Sequence, residues 1–212
     1  PPEFVSTSFA TQKQKNKKKK LGLDSYKIKN ILELDNREKI IFAEQHYIKV
    51  FDDKSEGRQE VHTLHNIFVA RVSINDSIQW IKLIPKRQTG GGEGYTDLPE
   101  KLYSFFLLMK NDIIHIMYND LEINMHVNDE SLLKNIDCNS PEDFTLVHCR
   151  IDLNTGALIS KKSINQSTDF NVAIFPKSAL VLEDDCLLLS GTKSLEGNRS
   201  KSVYYLGRYK LD

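Results

Sequence analysis

The sequence predicts an all-β protein, propeller-like, made of about three four-stranded antiparallel repeats, with a β-sandwich as the alternative arrangement of the same hairpins. Three observations predict it. Apolar residues alternate with polar ones, or come in short runs bounded by polar turns, along almost the whole chain. One strand phrase recurs three times. A second phrase, reading apolar strand, charged turn, apolar strand, precedes each copy of the first.

In the first phrase, Phe68, Ala70 and Val72 alternate with Val69, Arg71 and Ser73. Val147, Cys149 and Ile151 then alternate with His148, Arg150 and Asp152, and Tyr205, Gly207 and Tyr209 with Leu206, Arg208 and Lys210. Each copy has a small residue on one face (Ala70, Cys149, Gly207) and an arginine on the other (Arg71, Arg150, Arg208). Polar turns, "NDS" and "NTG", follow the first two copies. The third copy reaches Asp212, where its turn would begin. The second phrase is "ILELDNREKIIFAE", then "FLLMKNDIIHIMYN", then "ALVLEDDCLLLSG". In the last of these, Asp184 and Asp185 serve the geometry of a turn. Each unit is therefore two hairpins, and stacking would bury the faces that a lone unit leaves open.

This divides the chain into an N-terminal strand and Lys-rich loop over 1–25, repeats over 26–101 and 102–170, and an incomplete repeat over 171–212. Three blades are fewer than the roughly four to eight that close a ring. Glu3–Ala10 has strand composition and suits the end of a preceding blade. The expectation is part of a larger propeller, completed by an upstream domain or by self-association. The one helix-like stretch is "DESLLKNI", Asp129–Ile136, with Asp129 as its cap.

The order "LGLDSYKIKNILELDNREKIIFAEQHYI", "IFVARVSINDSIQWIKLIPKRQ", "SFFLLMKNDIIHIMYND" resembles uncharacterised β-propeller-like repeat proteins of the bacterial cell envelope, of the Bacteroidetes type. The resemblance covers roughly Leu21 to Asp212. It implies export to the periplasm, surface or medium, and a place in the later part of a longer protein. It implies no catalytic residue.

Composition limits the function classes. Lys and Arg balance Asp and Glu at 29 each, so no global charge draws the chain to nucleic acid or an anionic membrane. Six lysines lie in "KQKNKKKK", Lys13 to Lys20, which leaves the remainder mildly acidic. No aromatic residue interrupts that run, so it offers no base-stacking platform, and specific nucleic-acid binding is not expected. It reads as a solvated, mobile connection. No apolar run approaches the roughly 20 residues of a transmembrane helix. Cys138, Cys149 and Cys186 have neither disulfide nor metal-ligand spacing.

Motifs for chemistry are sparse. "TGGGEG", Thr89–Gly94, lacks the Lys-Ser/Thr and the helix of a phosphate loop, and reads as an inter-blade connector. His62 and His65 would fall on opposite faces of a strand. G-x-S-x-G is absent. Trp80, the sole tryptophan, reads as inter-blade packing. No catalytic residue, metal or cofactor is expected. The candidate binding surface is a polar rim of Lys86, Arg87, Gln88, Asn119, Asp120 and Asn124, where loops would converge at one end of the propeller. The functional expectation is a non-catalytic binding or assembly module for a protein or polysaccharide partner. The alternative is a polysaccharide-directed hydrolase or lyase on a propeller.

Overall fold

The computed structural model describes residues 25–53, 57–91, 104–138, 144–164, 173–182, 185–195 and 198–211. The lysine run and Glu3–Ala10 lie outside them. The described residues are all-β, in three sheets.

The first sheet opens with an antiparallel meander of β1 (Tyr26–Glu33), β2 (Lys39–Asp53), β3 (Gly57–Val72) and β4 (Ile78–Ile84). Its strands are rich in the β-branched and aromatic residues that suit a pleated surface. A short strand, β5 (Gln88–Gly91), pairs with the far end of β3. In the second sheet, β6 (Phe106–Lys110) and β7 (Ile113–Leu121) form a hairpin. The chain then returns to the first sheet as β8 (Ile136–Asp137), parallel to β5. It completes the second sheet with β9 (Phe144–Asp152) and β10 (Leu158–Ile164), giving the order β10-β9-β7-β6.

In the third sheet, β11 (Ala173–Ile174) and β12 (Leu180–Val181) both pair with β13 (Cys186–Leu195), and β14 (Asn198–Lys210) lies on the other side of β13. The 3-10 turn Pro176–Ser178 separates β11 from β12. Pro176 lacks an N–H and has a fixed φ, which breaks the strand there. Among the described residues no strand pairs with the outer edge of β14.

The sheets stack in chain order. Ile40, Phe42, Ile67 and Val69 of the first pack against Ile114, Ile116, Tyr118, Val147, Cys149 and Ile151 of the second. The other face of the second sheet, with Met117 and Leu146, packs against Leu187, Leu189, Tyr205 and Tyr209 of the third. Burial of the second sheet on both sides explains why β7 is apolar almost throughout, reading IIHIMYNDL. Among the described residues, no sheet lies against one face of the first sheet (Ala43, Phe68, Ala70) or against one face of the third.

The strand phrases occupy corresponding places. Arg71 is opposite Ile40, Arg150 opposite His115, and Arg208 opposite Leu188, each in the third strand of its meander. Arg71 shares a face with Val69 and points towards the second sheet. Arg150 shares a face with Leu146 and His148 and points towards the third. Arg208 lies opposite to Tyr205 and Tyr209 in the alternation, so it points away from the second sheet. The first hairpin of each unit also turns alike, with a left-handed residue at Arg37, Asp112 and Asp185 (φ 64°, 57° and 63°). Leu153 N–H donates to Asp112 O, and Leu211 N–H to Asp185 O, both at 2.8 Å.

Two expectations need correction. Thr89–Gly91 belongs to β5, so the start of "TGGGEG" is sheet rather than connector. Gly91 permits this: its φ is 105°, and a Cβ there would lie 2.4 Å from Glu60 O. The stretch at Asp129 is a single 3-10 turn, Glu130–Leu132, with Asp129 accepting from Ser131 N–H. Its apolar residues do not repeat with a helical period long enough to bury a face.

Candidate functional site

The structure brings five of the six predicted rim residues together and buries them. Lys86, Gln88 and Asn119 are fully buried, as is Asp120, and Asn124 is 1% exposed. The sixth, Arg87, is half-buried; its carbonyl accepts from Ile136 N–H. The cluster is interior, where an exposed rim was expected.

Its geometry is a chain of hydrogen bonds crossing all three sheets. Lys86, between β4 and β5, forms an ion pair with Glu44 of β2 and donates to Gln88 Oε1 at 2.8 Å. Glu44 Oε2 is also 3.1 Å from Lys29 Nζ and accepts from Ser104 Oγ at 2.8 Å. Gln88 Nε2 donates to Asn119 O on β7 at 2.8 Å. The Asn119 amide then docks β11: its Nδ2 donates to Ile174 O at 2.7 Å, and its Oδ1 accepts from Ile174 N–H at 3.1 Å. Next to it, Asp120 Oδ1 accepts from Leu121 N–H and from Asn124 Nδ2. Asn124 also holds both backbone groups of Lys134.

The electrostatics follow from burial and pairing. Burial raises the Glu44 carboxyl, but the Lys86 and Lys29 cations outweigh it and hold the group below the ordinary range. Burial lowers Lys86, opposed by Glu44. The pair is therefore charged and mutually dependent. Burial raises Asp120 with only partial compensation from Asn124 and Leu121. Its Oδ2 is buried without a hydrogen-bond partner. The side chains of Glu44, Lys86, Gln88 and Asn119 are committed to partners within and between the sheets, an arrangement suited to fixing the sheets together.

Sequence reasoning placed His62 and His65 on different faces, and their partners differ. His62 Nδ1 lies 3.0 Å from His46 Nε2, and His65 Nδ1 lies 2.9 Å from Glu130 Oε1. Burial and the nearby Lys27 and Lys29 lower His46 to about 4. His115 and His148 stack between the second and third sheets, 2.9 Å between ring nitrogens, and His148 reaches Tyr209 Oη at 3.0 Å. The pairings of Glu44 with Lys86 and of His46 with His62 left no local sequence signal, because each joins residues far apart in the chain.

Trp80 packs between sheets. Its Nε1 donates to Leu153 O at 3.1 Å, and its ring covers Gly156, where a Cβ would lie 2.6 Å from the indole. Arg71 Nη1 donates to the same Leu153 O and to Asn154 Oδ1, both at 3.0 Å. Arg71 and Trp80 thus clasp the β9–β10 turn from the first sheet.

A cavity of about 310 Å³ lies between the second and third sheets, lined by Leu146, Ile164, Ile174, Leu189, Tyr205, Gly207 and Tyr209 among others. Gly207 contributes to it, since nothing lies within 4 Å of where its Cβ would be. Cys149 is buried, and its thiol is raised to about 11 by that burial. No group of residues that could hold a metal ion occurs among the described residues. No helix among them is long and apolar enough to cross a membrane.

No protein-family model, curated protein or solved structure matches the chain.

Proposed function

We propose that this chain is a non-catalytic assembly module of the bacterial envelope, a propeller-like arc whose end sheets dock protein partners. The carrying observation is the contrast between its interior and its ends. The interior polar groups are committed to joining sheets, as in the Glu44–Lys86–Gln88–Asn119–Ile174 chain. The end sheets present apolar side chains outward: Ile28 and Ile31 on the first, Leu180, Tyr204 and Leu206 on the third. Contiguous exposed apolar surface of this kind marks interaction sites. The propeller-like reading, in preference to a sandwich, is supported by the succession of sheets with equivalent faces. The envelope setting rests on the resemblance noted in the sequence.

A polysaccharide-directed hydrolase or lyase needs acids converging on a cavity. Among the described residues no carboxylate lines the cavity between the second and third sheets, and we favour docking.

The test is the size of the native protein in a gentle extract of its own cells. The expected result is elution as an assembly larger than one chain, dispersed by Leu206→Lys. Elution as a monomer, unchanged by that substitution, would contradict the proposal.

A further inference from the structure

We infer that the partner is a second copy of this chain, with the outer face of its first sheet laid on the outer face of the third sheet of the other copy. This rests on the docking function proposed above and names the partner.

The interface between the first and second sheets is the template for a further one. Each sheet offers a face with an arginine to the sheet that follows it. Arg71 uses that face to hold Leu153 O and Asn154 in the next sheet. Arg208 is its counterpart in the third sheet and is exposed on a face that no other described sheet covers. The acceptor half of the clasp is also duplicated. Ile74 and Asn75 stand in the β3–β4 turn where Leu153 and Asn154 stand in the β9–β10 turn. Leu153 is 6% exposed under the clasp, whereas Ile74 is 59% exposed. Among the described residues, one end sheet therefore presents a donor of the Arg71 kind and the other an acceptor turn of the Leu153–Asn154 kind, each with exposed apolar residues on the same sheet.

A contact between two different faces is heterologous, so it extends or closes depending on geometry. With three sheets described in each copy, two copies would set those six in succession, inside the roughly four to eight that close propeller rings. Both contacts form at once in that closed dimer.

The test uses purified full chain and two variants, Ile31→Lys on the first-sheet face and Leu206→Lys on the third-sheet face. Both side chains are exposed, so thermal melting of each variant alone checks that the fold survives. In sedimentation equilibrium the native chain is expected as a dimer and each variant alone as a monomer. Mixing the variants should restore a heterodimer, because one intact face of each kind remains. In the native chain, Arg208→Glu should weaken dimerisation about tenfold or more. A variant that dimerises alone would show like faces pairing and overturn the inference. So would a mixture that stays monomeric, or a native chain that is monomeric at every concentration. In that last case, an assembly persisting in the cell extract would leave the docking function standing with a different partner, and its absence there would remove both.

Discussion

Two glycines of the described structure have opposite demands. Gly156 combines φ 69° with the Trp80 indole directly over it. Alanine there pays twice, in backbone strain and in displacement of the indole, and Gly156→Ala is expected to cost about 1–3 kcal/mol. Gly207 faces open space in a strand. Gly207→Ala is expected to raise stability by about 0.4–1 kcal/mol by restricting the unfolded chain. Urea melts of the two variants, shifted in opposite directions, check both. Histidines give the pH dependence. His46 and His115 have folded pKa values below the usual 6.5, chiefly through burial. Between the folded and unfolded values the unfolded chain binds more protons, so stability rises with pH across that window. The expectation is progressive loss as pH falls below about 6.5, with the His46 ring titrating near 4 by NMR. A stability flat from pH 7 to 5 would contradict it.

At the scale of elements, the buried polar chain sets how the sheets are joined. Asn119 supplies both hydrogen bonds that hold Ile174. Asn119→Ala leaves a buried N–H and C=O unpaired, a cost of about 1–3 kcal/mol, and faster amide exchange is expected first in β11. Lys86→Met leaves the buried Glu44 charge with Lys29 as its remaining cation and is expected to cost up to about 3–5 kcal/mol, partly recovered when Glu44→Leu is added. Strands such as β7 and β9 were legible because their residues follow period two or run apolar, and the arginine phrase showed their correspondence. β5 was not, because Thr89-Gly90-Gly91 has loop composition and becomes strand only through the long β3 beside it. The candidate site was half legible. Five of the six residues lie together, but Lys86 and Asp120 read as surface groups because nothing local shows the partners, such as Glu44, that allow burial.

At the scale of the whole molecule, the three described sheets stack with one sense of direction, and among the described residues no sheet covers either end of the stack. The most direct measurement of the docking account is amide hydrogen exchange of the full chain over a concentration series. The account predicts that protection rises together at two distant places, the Ser73–Ser77 turn with β4 on one end sheet and β14 on the other, while β7 and β9 stay unchanged. Protection that rises at one of the two places alone, or at neither, would contradict it.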